Sequence, residues 1–238
     1  VVEDSTKIEQ IKAGRVGAML NIKGVKYTRE MQNYAMQSRL RIPLLFGQDV
    51  IHGLRTIYPI PLGEAASFDL DLMERTAAGA AEEASAQGIH WTFAPMVDIT
   101  RDARWGRVME GAGEDTWYGS RVAEARVRGF QGDDLADTHT VMACAKHFAA
   151  YGAAIAGKDY NTVDISDLTL HDTYLPPFRA AANAGVATFM NSFNDINGIP
   201  ATGNAYIQRD ILKEGWAFSG FIVSDWGSVK EMVAHGYA

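Results

Sequence analysis

The chain has 238 residues, 47% of them hydrophobic and 21% charged, enough to bury one substantial core in an ordinary globular domain. Its 22 basic against 29 acidic residues leave a formal charge of −7, which excludes the basic face that nucleic-acid readers present. No apolar run reaches the roughly 18 residues of a membrane-spanning helix, and the single cysteine, Cys144, cannot form an internal disulfide. The partners to expect are therefore small molecules, with neither nucleic acid nor membrane among them.

In chain order, apolar runs of strand length stand at 16–21, 44–49, 92–99, 141–148, 186–193 and 221–225. Longer helical patterns separate them, which is the signature of βα units feeding a parallel sheet. Each run is almost continuously apolar, as strands are when helices cover both faces of the sheet. The clearest helix follows Ser67 and Phe68: Asp69 can cap it, and an Ala-rich stretch runs to Gln87 before Gly88 stops it. Residues 166–183 read as a helix that Pro176 and Pro177 should kink or break, and 204–214 as one that Gly215 ends. No linker or internal repeat divides the chain. Six strands are fewer than the eight that close a TIM-type (β/α)8 barrel. The expected fold is therefore α/β, one incomplete barrel domain over 1–238 whose first and last strands are missing.

In such an architecture the chemistry gathers at the C-terminal ends of the strands. The second run ends in Asp49, with His52 just beyond; the fourth ends in Lys146 and His147; the sixth ends in Asp225 and Trp226. Taken singly, each has a duller reading. Asp225 could cap a helix over 229–234, His147 could be a satisfied core histidine, and Lys146 could be a surface lysine lying along its own stem. His52, Trp105 and Trp117 read as packing residues. Their convergence on one rim argues for a site. The segment 98–118, dense in charge and glycine between two buried strands, is long for a simple connection. There Arg107 can hold two sugar hydroxyls in a fixed fork, and Trp226 can offer a ring face to a pyranose. The competing reading makes Arg104, Arg107, Glu110, Glu114 and Asp115 an internal ion-pair network, with Glu114 and Asp115 foremost. No HxH or HExxH spacing suggests a metal, and no cofactor is expected.

The chain carries four ordered motifs: GQDVIHG at 47–53, ARWGRVMEGAGED at 103–115, AKHFAAYG at 145–152 and IVSDWG at 222–227. Together they resemble the N-terminal catalytic domain of glycoside hydrolase family 3. KDYNTVDIS and PATGNAYIQRDILKEGWAFSGF make the chain most similar to that family's bacterial periplasmic β-glucosidases. The resemblance implies a retaining, exo-acting β-glucosidase that passes through a covalent glycosyl-aspartate on Asp225. It implies that Asp49 accepts from the sugar hydroxyls, that Arg107, Lys146 and His147 hydrogen-bond them, Lys146 and His147 as donors, and that Trp226 walls the leaving-group site. Phe193 falls where some relatives place a tyrosine. After Phe148 the run Ala149-Ala150-Tyr151-Gly152 lacks the second His and the Asp of the N-acetylglucosaminidase branch. The resemblance further implies a glucoside or oligosaccharide substrate, an acid/base glutamate from a following α/β sandwich domain absent from the chain, and a periplasmic or extracellular location, and it leaves a homodimer open. A β-xylosidase of the same family, a Schiff-base aldolase using Lys146 and a non-catalytic sugar-binding module are the rival readings.

Overall fold

A computed structural model describes residues 5–238. Six parallel strands follow one another in chain order: β1 (Ala18–Leu20), β2 (Leu45–Gln48), β3 (Trp91–Thr92), β4 (Cys144–Phe148), β5 (Thr188–Asn191) and β6 (Phe221–Val223). β1, β2 and β3 form one parallel sheet, and β4, β5 and β6 a second. Irregular pairing joins them: Thr92 N–H donates to Met142 O at 2.9 Å, Cys144 N–H to Ala94 O at 2.8 Å and Val97 N–H to Lys146 O at 2.8 Å. The fold is thus α/β with parallel strands and intervening helices. Among the described residues no pairing joins β1 to β6, so the strands do not show a closed barrel.

Five of the six strands sit inside the apolar runs that predict them, and the third overlaps its run by one residue. The third departs most, with regular pairing over Trp91–Thr92 only rather than over 92–99. The cause is Pro95 in mid-run, which has no N–H to donate to a ladder. Asp69 Oδ1 accepts from Leu72 N–H at 2.9 Å and starts helix α1 (Leu70–Ser85). Its buried Ala77, Ala80, Ala81 and Ala84 share one core with Ala123, Val127 and Phe130 of α2 (Thr116–Gln131). The prolines at 176 and 177 open α3 (Pro176–Asn183), and the turn before them widens, so that Leu175 N–H reaches back to Leu170 O. The expected interruption is a widened turn, which needs no donor from either proline. The helix expected over 204–214 spans Tyr206–Gly215. One feature escapes the pattern of apolar runs, a hairpin of Asp195–Ile196 and Ile199–Pro200. Its turn residues Asn197 and Gly198 both have positive φ (51° and 84°), the conformation Asn-Gly adopts in two-residue hairpin loops.

The interior between the strands is apolar at the base. Trp91, Phe93, Cys144 and Met190 are buried there, with Leu20 of β1 and Val223 of β6 packed against them. Trp91 Nε1–H donates to Thr188 Oγ1 at 2.9 Å and satisfies the one polar atom of that ring. Burial pushes the Cys144 thiol up to about 12, so it behaves as a small hydrophobe. Leu20 and Val223 come from opposite edges of the array yet line one cavity, so the array curls around it.

Candidate active site

That cavity has a volume of about 700 Å³, within the ~300–1,000 Å³ range of small-molecule sites. Its wall contains all seven side chains singled out above: Asp49 after β2, Arg107 from the long segment after β3, Lys146 and His147 on β4, Phe193 after β5, and Asp225 and Trp226 after β6. Its floor is the apolar cluster of Leu20, Trp91, Phe93, Met190 and Val223. A floor without hydrogen-bonding groups leaves recognition to the charged rim.

Lys146 is 2% exposed and does not reach solvent along its stem. Its ammonium lies 3.5 Å from Asp49 Oδ1 and 3.5 Å from Glu110 Oε2. Arg107 grips Glu110 with both arms, Nε to Oε1 at 2.8 Å and Nη2 to Oε2 at 3.1 Å. Burial would raise the Glu110 carboxyl, but Arg107 and Lys146 outweigh it and hold the group below the usual carboxylate range. Burial likewise opposes the Arg107 charge, and Glu110 outweighs it in turn, so the guanidinium is held firmly charged. Among the described residues Arg107 makes no other side-chain hydrogen bond, so its remaining N–H groups can serve a ligand. Tyr151, whose ring lies 5.7 Å under this guanidinium, is buried against Trp105 and His147. The next residue, Gly152, lets the chain pass close to the segment after β3: a Cβ there would stand 2.1 Å from Ile99 O.

Asp225 sits beyond β6 with one oxygen engaged and one bare. Oδ1 accepts from Trp226 N–H at 2.6 Å; Oδ2 has no hydrogen-bond partner among the described residues and lies 3.7 Å from His147 Nε2. The carboxylate does not cap the next helix, Ser228–Ala234. The residue before that helix is Gly227, and Ser228 N–H donates at 3.1 Å to the backbone oxygen of Asp225. The capping alternative therefore fails on geometry. Burial raises the Asp225 pKa above the ordinary carboxylate value; the Trp226 N–H, Arg107 and Lys146 pull the other way. His147 is fully buried, and its backbone N–H and Nδ1 both meet Asp98 Oδ2 at 2.9 Å. Burial pushes Asp98 up to about 7 and His147 well below its usual value.

The competing ion-pair reading is right for part of the segment. Arg104 pairs with Asp102 at 2.6 Å and Arg107 with Glu110, whereas Asp115 caps α2 by accepting from Tyr118 N–H at 2.6 Å. Trp105 is structural, its Nε1–H donating to Asp159 at 2.8 Å, and His52 Nδ1 meets Tyr58 O at 2.9 Å. Trp117 is instead exposed. Asp98, Tyr151 and Glu231 join the site or its surroundings beyond the residues that the sequence singles out. Asp98 carried the same signal as Asp49 and Asp225, a carboxylate at the end of an apolar run, and Glu231 of the last helix lines the cavity six residues after Asp225. Among the described residues no group of three or more His, Cys, Asp or Glu could hold a metal ion, and no helix is long and apolar enough to cross a membrane.

Comparison with known proteins places the chain in a family. The family model described as "Glycosyl hydrolase family 3 N terminal domain" matches residues 2–238. A periplasmic beta-glucosidase of Salmonella typhimurium is 47% identical over 231 residues, covering 97% of this chain and 30% of the relative. A putative beta-xylosidase of Formosa agariphila is 34% identical, covering 94% of this chain and 32% of the relative. The beta-glucosidase from Listeria innocua solved in complex with isofagomine superposes with a TM-score of 0.92 at 44% identity, covering 96% of this chain and 32% of that one. The same enzyme in complex with glucose gives 0.90 at 45% identity, covering 93% and 31%. The chain thus spans about a third of the length of these relatives.

Proposed function

Because the chain belongs to glycosyl hydrolase family 3, we propose that it is the catalytic (β/α) barrel portion of a retaining, exo-acting β-glucosidase whose nucleophile is Asp225. The observation that carries this is the bare Oδ2 of Asp225 in a cavity rimmed by Asp49, Arg107, Lys146 and His147. Oδ2 attacks the anomeric carbon and the bond to the leaving oxygen breaks. That oxygen takes a proton from an acid, and water later cleaves the glycosyl-aspartate with the acid acting as base. Arg107 and Lys146 favour the ionised nucleophile. Trp226, 76% exposed, offers its face to the leaving group. The relatives named for β-glucosidase activity and for periplasmic location support glucosides as substrates and a periplasmic or extracellular setting.

Retention needs a second carboxyl about 5–5.5 Å from the first. Asp49 and Glu110 both face Lys146, an environment for an acceptor rather than an acid. We assign the acid/base to a glutamate of a following α/β sandwich domain. The isolated chain is expected to show almost no turnover of an aryl β-glucoside that the full-length enzyme cleaves. Turnover comparable to full length would place the acid within the chain, and Glu231→Gln would then be the variant to make.

Asp49→Ala is expected to cost about 2 kcal/mol in the full-length enzyme, or roughly 30-fold in kcat/KM, through lost charge-assisted hydrogen bonds to the sugar. Kinetics on an aryl glucoside unchanged from wild type would remove Asp49 from the site. A β-xylosidase reading is favoured by the Formosa agariphila relative, and the same kinetics on an aryl xyloside discriminate. Lys146 as a Schiff-base lysine is disfavoured. It faces two carboxylates, unlike the apolar or cationic surroundings that activate such an amine.

A further inference from the structure

Asp98 stands behind the cavity wall, against His147, and the reaction above gives it no task. It is 2% exposed, and its Oδ2 meets two nitrogens of a single residue, the backbone N and Nδ1 of His147, both at 2.9 Å. The backbone N–H can only donate, so Oδ2 serves as an acceptor here, and the ring nitrogen beside it carries the proton. A neutral imidazole protonated at Nδ1 holds a lone pair at Nε2. Burial, with Arg107 and Lys146 adding to it, keeps this ring neutral. Nε2 lies 3.7 Å from Asp225 Oδ2, beyond hydrogen-bonding distance, and that oxygen has no other partner among the described residues. Two facing lone pairs account for the gap. A proton on Nε2 would instead draw the carboxylate into a charge-assisted bond.

We infer that Asp98 is a positioning residue that fixes His147 in its Nδ1–H tautomer, so that Nε2 accepts a hydrogen bond from a sugar hydroxyl and Asp225 Oδ2 stays unbonded for attack. His147 thus donates only backward to Asp98, whereas the motif resemblance has it donating to the sugar. The consequence for attack rests on Asp225 being the nucleophile; the tautomer does not.

NMR of the ¹⁵N-histidine-labelled chain tests the tautomer directly, with His147 picked out of the six histidines by the signal lost in His147→Gln. The expected pattern is a protonated, pyrrole-type Nδ1 and an unprotonated, pyridine-type Nε2. Asp98→Asn keeps a carbonyl acceptor and should preserve that pattern. Asp98→Ala removes it and should move the proton to Nε2. In the full-length enzyme Asp98→Ala should lower kcat/KM roughly 100-fold, because the sugar hydroxyl loses its acceptor and faces a donor instead, while Asp98→Asn, its carbonyl held by the His147 backbone N–H, retains most activity. A protonated Nε2 in the wild type or in Asp98→Asn, or an unchanged tautomer in Asp98→Ala, overturns the inference. Should Asp98→Ala not fold, the other two spectra decide. A glycosyl label mapped away from Asp225 would sink the nucleophile assignment and leave the tautomer standing.

Discussion

Asp225→Asn in the full-length enzyme is expected to lower kcat on an aryl β-glucoside by about four orders of magnitude, with far less change in substrate affinity. The amide is nearly isosteric and can still accept from Trp226 N–H, so the loop after β6 keeps its shape. What disappears is the anionic oxygen that would bond to the anomeric carbon. A covalent route lost outright costs on the order of 10⁴- to 10⁶-fold when the group acts as the nucleophile. Burial raises the Asp225 pKa, so the ionised fraction, and with it the rate, should fall with decreasing pH above the ordinary carboxylate range. A 2-fluoroglucoside should trap the intermediate, and peptide mass spectrometry should find the label on the peptide containing Asp225. A label on another carboxylate, or a variant within tenfold of wild type, would falsify the assignment.

How far the sequence reveals this site depends on the kind of information each residue needs. Asp49, Lys146, His147 and Asp225 end continuous apolar runs, and strand periodicity alone sends such positions to one rim. The ordered motifs then give them roles. Asp98 ends a run too, but its meaning lies in a contact with His147, 49 residues on, that no spacing rule announces. Glu110 reads as a loop-fixing carboxylate and is one, through Arg107, yet it also faces Lys146 from a distant strand. Apolar content alone overestimates the third strand, because it does not register the missing donor of Pro95. The hairpin at 195–200 is missed although Asn197-Gly198 is a strong turn signal, because its strands are only two residues each.

The second large effect lies away from the cavity mouth, at Arg126 of α2. Its guanidinium donates from Nη1 to Glu64 Oε2 at 2.6 Å and from Nη2 to Ile51 O, and lies 5.5 Å over the Phe130 ring. The side chains of the pair are 5% and 3% exposed, and burial pulls Arg126 below its usual value although Glu64 opposes this. Two charges so buried contribute little net stability together, since desolvation consumes most of their attraction. Removing one strands the other. Arg126→Met is therefore expected to destabilise the chain by about 3–5 kcal/mol, or roughly 6–20 °C in Tm for a domain of this size. Adding Glu64→Leu should recover most of that loss, because no unpaired carboxylate then remains. Urea denaturation of the two single variants and the double variant closes the cycle, provided the m-values stay constant. If Arg126→Met lies within about 1 kcal/mol of wild type, water reaches Glu64 and the pair is not buried in solution. The Ile51 carbonyl connects this pair to the site, because Asp49 lies two residues before it. Arg126→Met in the full-length enzyme should consequently raise KM for the glucoside more than it lowers kcat, since it loosens the segment that carries Asp49 and leaves Asp225 in place.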